Sequence, residues 1–332
     1  SAFLMQIFFL RRRFVSFLEF DCSDRTFEEI QIFAGFQDSN LEMLNKCFKS
    51  VFMIRDQKIK VEVNDTLDTH KVEEVIDACF SIIDTQHRLN SQDVNYICSL
   101  AFKNRLKDFK AHQLQAVCKT KTGKMIYPKT IGQAILCDAM RHNEIVFATG
   151  VAGTGKTYLA VAYAVNMLKS ERVEKIILTR PAVEAGESLG FLPGDMKEKV
   201  DPYLRPLYDA LNEMLGLETV EKYVEKQVIE IAPLAFMRGR TLNDAVVILD
   251  EAQNATCAQM KMFLTRMGKN CKMVVTGDVT QIDLIKKKDS GLMQACTILD
   301  HIVGISIIHL ENSDVVRNPL VQKIIERYAK VE

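Results

Sequence analysis

No excess of either charge sign marks this sequence, because 43 basic and 43 acidic side chains cancel over 332 residues. Bulk attraction to nucleic acid or to a membrane surface is thereby excluded, and any basic surface must be local. No C-x-x-C pair occurs among the nine cysteines, which speaks against both a disulfide framework and a thiolate zinc site. With six scattered histidines, the reading is a reduced, cytoplasmic protein. A long apolar run is missing too. Leu4 to Leu10 is followed, not preceded, by Arg11, Arg12 and Arg13, the wrong order for a secretory signal and far too short a stretch to cross a bilayer. No targeting segment and no membrane partner are expected. There is no internal repeat or low-complexity segment, and 48% hydrophobic with 26% charged residues excludes a largely disordered chain.

Glycine is nearly absent from the first third: Gly35 stands alone before Gly123, and the other fourteen lie from Gly123 onward. That shift, and the length, suit about two domains. Residues 1–85 read as a small α+β domain, with strand-like Phe14 to Phe20 and Lys58 to Val63 and helical Leu41 to Phe48 and Val72 to Ile83. Residues 86–125 read as a helical basic linker. Its helix is placed at Gln92 to Phe109, and Phe102 to Lys124 carries seven Lys/Arg against the single acid Asp108. Such a run is either a solvated face or a contact for a phosphate backbone. Residues 126–332 alternate between strand and helix. Ile145 to Ala148, Lys175 to Thr179, Gln227 to Ile231, Ala245 to Leu249, Cys271 to Val275 and Ile305 to Leu310 are the short β-rich runs. Thr157 to Lys169, Ala258 to Arg266, Leu292 to Ile302 and Pro319 to Lys330 are helical. This predicts an α/β fold, a mostly parallel sheet with helices on both faces.

Within that pattern Gly150-Val151-Ala152-Gly153-Thr154-Gly155-Lys156-Thr157 fits G-x-x-x-x-G-K-[ST] in full, between a strand and a helix as the motif requires. Glycines let the backbone curl so that N–H groups converge on phosphate oxygens at a helix N-terminus. Lys156 is the candidate for the β- and γ-phosphates, and the Thr157 hydroxyl for Mg²⁺. The apolar strand Val246 to Leu249 ends in Asp250-Glu251, candidates respectively for holding Mg²⁺ through water and for polarising the attacking water. Thr276-Gly277-Asp278 with Gln281 follows the next strand; Gln281 and Gln253 are candidates for sensing the γ-phosphate. Gln133, about seventeen residues before the loop, has an amide able to read the adenine edge of ATP.

Longer stretches carry a resemblance. Thr179-Arg180-Pro181-Ala182-Val183-Glu184-Ala185-Gly186-Glu187, Leu189 to Asp195, Asp201 to Leu207, Arg238-Gly239-Arg240-Thr241 and Asp250-Glu251-Ala252-Gln253-Asn254 resemble PhoH-like proteins. The resemblance runs from Pro128 to Tyr328. It implies a P-loop NTPase core of the RecA-like type seen in superfamily 1 helicases, preceded in many members by a small KH-like region, here matched only by Phe33-Ala34-Gly35 and Asn40-Leu41. It implies an ATPase coupled to RNA binding or remodelling. The alternative is an ATP-controlled interaction protein with slow hydrolysis and no strand separation. Leu284-Ile285-Lys286 and Asn318 depart from the family pattern, and the N-terminal region has no G-x-x-G, so a KH grip on RNA is not carried over. Arg180 to Leu207 holds four of the seven prolines and reads as a long ordered loop. With no room after Gln281 for a second core, Arg317 is the candidate cation for the γ-phosphate, acting within its own copy or across a homo-oligomeric ring, with a hexamer favoured.

Overall fold

The computed structural model describes residues 16–107, 109, 115–181, 196–284, 286–316 and 327, with the backbone only at 196–203 and 287. The chain forms two compact units, Ser1–Lys110 and Ala111–Glu332.

In the first unit β1 (Phe17–Asp21), β2 (Phe52–Arg55) and β3 (Lys58–Glu62) form an antiparallel sheet in the order β1-β3-β2. Asp56 and Gln57 join β2 to β3 with φ of 54° and 56°, the backbone hand that a two-residue hairpin requires. Four helices follow the apolar periodicity: α1 (Phe27–Ala34), α2 (Ser39–Phe48), α3 (Thr69–Gln86) and α4 (Ser91–Phe102). Thr26 and Glu29 close a capping box on α1, satisfying two end donors reciprocally. Phe33 stacks on Phe80 at 4.9 Å between centroids in the core. The sequence assigned α4 to a linker. Instead its buried Val94, Ile97, Cys98 and Ala101 place it in the first unit, packed with α2 and α3. It also ends at Phe102, short of Phe109, where the charged Lys103 and left-handed Asn104 turn the chain.

The second unit opens with a hairpin of β4 (Cys118–Lys119) and β5 (Met125–Ile126). Its centre is a six-stranded parallel sheet of β6 (Ile145–Gly150), β7 (Lys175–Arg180), β8 (Ile229–Pro233), β9 (Ala245–Leu249), β10 (Cys271–Gly277) and β11 (Ile305–Leu310), in the order β11-β6-β10-β9-β7-β8. Every residue of β9 is buried, as expected of a strand covered on both faces. One face carries α5 (Ile131–His142), α6 (Lys156–Lys169), α7 (Met196–Leu215) and α8 (Leu217–Glu225). The other carries α9 (Cys257–Leu264) and α10 (Gly291–Ile298). The register sets Thr276 opposite Ala148, and sets both Val275 and Thr179 opposite Leu249. The segments after β6, β7, β9 and β10 therefore leave the sheet along one edge.

Part of the expected proline-rich loop is helix. Pro202 and Pro206 both lie inside α7. Each removes an i→i−4 bond, but Leu204, Leu207, Leu211 and Met214 recur at helical spacing and are buried. Burial of that face offsets the missing bonds. Residues 182–195 and the expected helix Pro319 to Lys330, apart from 327, lie outside the described residues. Among the described residues no helix is long and apolar enough to cross a membrane.

The start of α5 is fixed from a distance. Asp314 Oδ1 accepts the Gly132 N–H at 3.1 Å, and its Oδ2 accepts the Glu311 N–H at 2.8 Å. A Cβ at Gly132 would overlap that carboxylate, which is buried. Gly132→Ala gains about 0.5–1 kcal/mol of helix propensity but displaces a charged acceptor whose bonds are worth roughly 1.5–3 kcal/mol each. We expect Gly132→Ala to lower the thermal unfolding temperature, whereas truncation of the exposed Ile135 on the same helix leaves it nearly unchanged. A Gly132→Ala protein that unfolds at higher temperature than the parent contradicts this account.

Candidate functional site

The loop from Gly150 to Thr157 leaves β6 and enters α6 through left-handed turns. Gly150, Gly153 and Gly155 have φ of 143°, 86° and 79°. At Gly150 a side chain is excluded twice over, by φ and by the Leu310 carbonyl of neighbouring β11. The Lys156 ammonium folds back on the loop, donating to the Gly150 carbonyl at 2.6 Å, the Val151 carbonyl at 2.9 Å and Thr154 Oγ1 at 3.2 Å. Ala152, Gly153, Gly155, Lys156 and Thr157 line a cavity of about 260 Å³, closed on its far side by Asp250, Glu251, Gly277, Asp278 and Gln281. Val151 and Thr154 act behind the wall: the Thr154 hydroxyl, wholly buried, donates to the Val151 carbonyl at 2.9 Å.

Asp250 stands directly after β9 and is 2% exposed. Its Oδ1 accepts the Thr157 hydroxyl at 2.6 Å and the Thr276 hydroxyl at 2.7 Å. Its Oδ2 accepts Arg180 Nε at 3.1 Å and Nη2 at 2.7 Å. Two strands that flank β9, β10 and β7, and the head of α6 thus deliver one donor group each to a single buried carboxylate. A buried charge is tolerable only when paired and hydrogen-bonded in this way.

Glu251 has φ of 52°, a conformation that costs a side-chain-bearing residue about 1–3 kcal/mol and is concentrated at functional positions. Its carboxylate, 45% exposed, faces the cavity and accepts Gln253 Nε2 at 2.6 Å and Arg180 Nη2 at 3.4 Å. Gln253 is 1% exposed; its Nε2 also reaches the Gln281 carbonyl at 3.2 Å, and its Oε1 accepts the Asp278 N–H at 3.0 Å. Of the two amides considered from the sequence, Gln281 is at the cavity and exposed, and Gln253 is the buried strut that aims Glu251.

The donors are those of a hard cation. A hydroxyl at Thr157 and a carboxylate at Asp250 suit Mg²⁺, which keeps several waters and takes phosphate oxygens alongside one or two protein ligands. Asp278 fits the same reading: its Oδ1 accepts the Thr280 N–H and hydroxyl, while its buried Oδ2, in a residue that lines the cavity, has no partner among the described residues. Buried polar atoms of that kind call for a bound group.

Two sequence expectations fare differently. Gln133 is not among the residues lining the cavity. Its Nε2 donates to the Thr154 carbonyl at 2.9 Å and its Oε1 accepts the Lys129 N–H at 2.7 Å. With a bond at each end of its amide, Gln133 braces the glycine-rich loop. Arg317 lies outside the described residues; Val316, just before it, donates its N–H to the Gly153 carbonyl at 3.0 Å. Arg180 and Thr276 were not singled out as site residues from the sequence. Both close a β-rich run beside the acidic pair, and that position at a strand end was the available signal. We expect Gln133→Ala to weaken ATP and GTP binding to the same extent, because it loosens the loop that holds either triphosphate. Competition binding checks this, and a selective loss of ATP restores the adenine role.

Comparison with known proteins shows the family. Residues 125–329 match the family described as PhoH-like protein. The PhoH-like protein of Bacillus subtilis (strain 168) is 52% identical over 303 residues, covering 91% of this chain and 94% of that protein. The PhoH-like protein of Mycobacterium leprae (strain TN) is 47% identical over 298 residues, covering 90% and 85%. Protein PhoH of Escherichia coli (strain K12) is 46% identical over 193 residues, covering 58% of this chain and 54% of its own. Among solved structures, the UvsW helicase from Bacteriophage T4 aligns at 12% identity and a TM-score of 0.32, covering 77% of this chain and 84% of that one; a likeness so low carries no argument. The match over residues 125–329, with relatives alike at about half of all positions over most of the chain, makes this protein a member of the PhoH-like protein family.

Proposed function

We propose that the chain is a Mg²⁺-dependent ATPase whose cycle is coupled to RNA binding or remodelling. One observation carries the catalytic half of this reading: the Thr157 hydroxyl of the glycine-rich loop donates to Asp250 at 2.6 Å, across 93 residues of sequence. A phosphate cradle and an acidic strand end that meet through one hydroxyl are the two halves of a nucleotide triphosphatase site. Thr157 and Asp250 would hold Mg²⁺, which supplies charge neutralisation on the β- and γ-phosphates. The loop N–H groups bind the phosphates, and Lys156 exchanges its loop carbonyls for phosphate oxygens. Glu251, aimed by Gln253, accepts the proton of the attacking water as the new oxygen–phosphorus bond forms and the bond to the β-phosphate oxygen breaks. Gln281 contacts the γ-phosphate side of the cavity.

Exposed lysines favour a polyanionic partner. Lys119, Lys121 and Lys124 stand out on the β4–β5 hairpin, and Lys286 and Lys288 follow β10. Exposed Phe236 lies near Arg238 in sequence, a pairing suited to stacking on a base. Arg240 leaves this set, because both its terminal nitrogens bind Glu230, at 2.5 and 2.7 Å.

Lys156→Ala is expected to abolish hydrolysis and weaken ATP binding, since the ammonium on the phosphates is lost. Glu251→Gln keeps ATP affinity while turnover falls about 10²-fold or more, because general-base loss acts on the transition state. Both are read by fluorescent-nucleotide binding and phosphate release, with and without single-stranded RNA. A Glu251→Gln protein with parental turnover removes Glu251 from the mechanism. Stimulation by RNA supports the coupled reading, and indifference to every RNA tested favours the ATP-controlled interaction protein.

Arg317 is proposed as the cation steadying the γ-phosphate across a homo-oligomeric ring, on the support that Val316 reaches the loop carbonyl of Gly153. Lys156→Ala and Arg317→Ala subunits mixed in one assembly then recover turnover that neither has alone. Failure to recover in assemblies shown to exchange subunits overturns the shared site.

A further inference from the structure

The reaction proposed above leaves Arg180 without a task, yet no side chain is more deeply engaged with the two catalytic acids. It ends β7, one strand beyond β9 and on the side away from the glycine-rich loop. It is not among the residues lining the cavity. Its guanidinium reaches the carboxylates from behind, 16% exposed, with Nε and Nη2 on Asp250 Oδ2 and Nη2 also 3.4 Å from Glu251 Oε1.

A carboxylate offers about four acceptor positions, and all are taken at Asp250: two by the Thr157 and Thr276 hydroxyls, two by Arg180. For Asp250 to hold a cation, directly or through the ion's waters, one of these donors must withdraw. The hydroxyls are neutral, and that of Thr157 is itself a candidate ligand. Arg180 alone carries positive charge, so it is the donor that a divalent ion brought to the same carboxylate opposes most strongly. Its second contact gives it somewhere to go, because Glu251 is already within reach of the same nitrogen. Gln253 Nε2 holds the opposite oxygen of Glu251, Oε2, at 2.6 Å. The glutamate therefore lies between two donors on two elements, a fork geometry that guanidinium supplies and ammonium does not.

We propose that Arg180 is a positioning residue with two opposed effects: it competes with the divalent ion for Asp250, and it orients Glu251 toward the water. This rests on the ATPase reading above. Removal of Arg180 should then tighten divalent binding while slowing hydrolysis, a combination that a merely structural ion pair does not give. Loss of a structural pair disorders Asp250 and weakens both.

The test uses the full chain bearing Arg180→Gln or Arg180→Lys, with a fluorescent, slowly hydrolysed ATP analogue titrated with MgCl₂ and turnover of ATP measured at saturating Mg²⁺. Arg180→Gln is expected to reach half-saturation at about one-third of the parental Mg²⁺ concentration or less, with turnover reduced at least about tenfold. Arg180→Lys keeps the charge but not the fork: its Mg²⁺ dependence stays near parental while turnover falls. Unchanged or weakened Mg²⁺ dependence in a folded Arg180→Gln protein, by circular dichroism and thermal unfolding, overturns the competition. If that variant does not fold, Arg180→Lys with parental turnover overturns the positioning role. A parent protein that binds no nucleotide at any Mg²⁺ concentration sinks the ATPase reading itself, whereas a parent that binds and hydrolyses alongside a variant with parental behaviour sinks only the role of Arg180.

Discussion

One buried carboxylate organises the second unit. Asp250 is 2% exposed at the end of a fully buried strand, so its charge is met by Thr157, Thr276 and Arg180. Each comes from a different element, and each must stand at a strand end or helix start to reach it. Parallel pairing provides this. In a parallel register all strands point the same way, so consecutive β–α turns converge on one edge of the sheet. The order β11-β6-β10-β9-β7-β8 then puts the Thr276 strand between the glycine-rich loop and Asp250, and the Arg180 strand on the other flank. The site follows from the topology, and the topology is stabilised by apolar cores on both faces of the sheet.

The glycine-rich loop is held by its carbonyl groups. Those of Gly150 and Val151 accept the Lys156 ammonium, that of Gly153 accepts the Val316 N–H, and that of Thr154 accepts the Gln133 amide. Peptide planes fixed by their carbonyls also fix the directions of the N–H groups on their opposite sides. Gln133 and the turn after β11 thereby fix the loop's N–H directions without entering the cavity. Asp314 extends the same support by holding the start of α5, the helix that carries Gln133.

Much of this was legible in the residues, for physical reasons that differ by element. Ala245–Leu249 and Ile305–Leu310 appear where β-rich runs placed them, because short apolar runs between turns have few other stable fates in an alternating chain. The glycine-rich loop was legible because its glycines answer a backbone need, visible as positive φ at three of them. Pro202 and Pro206 misled, since proline signals a break locally while the buried stripe from Leu204 to Met214 decides the outcome through tertiary packing. The basic run after Phe102 misled in a similar way, drawing attention from the apolar face of α4 that belongs to the first unit. Gln133 shows a further limit. Sequence gives the amide, but its function depends on where its two ends are used.

Arg180 was harder to read because a lone arginine after a strand has no spacing signature; only the neighbour across the sheet gives it meaning. That neighbour also explains how little of the guanidinium meets water. Lys156 is 7% exposed and turned onto carbonyls, and Arg180 is turned onto carboxylates, so both cations are already largely removed from water. Desolvation is the chief cost of using a charge in a closed site, and here most of it is met during folding, when burial of the surrounding core can offset it. On the reading proposed above, a polyphosphate entering the cavity would replace the loop carbonyls around Lys156 with its own oxygens instead of stripping water from a free cation. Binding that works by exchange is selective for ligands able to replace every bond released, and a triphosphate with its cation carries enough charge and oxygen atoms to do so.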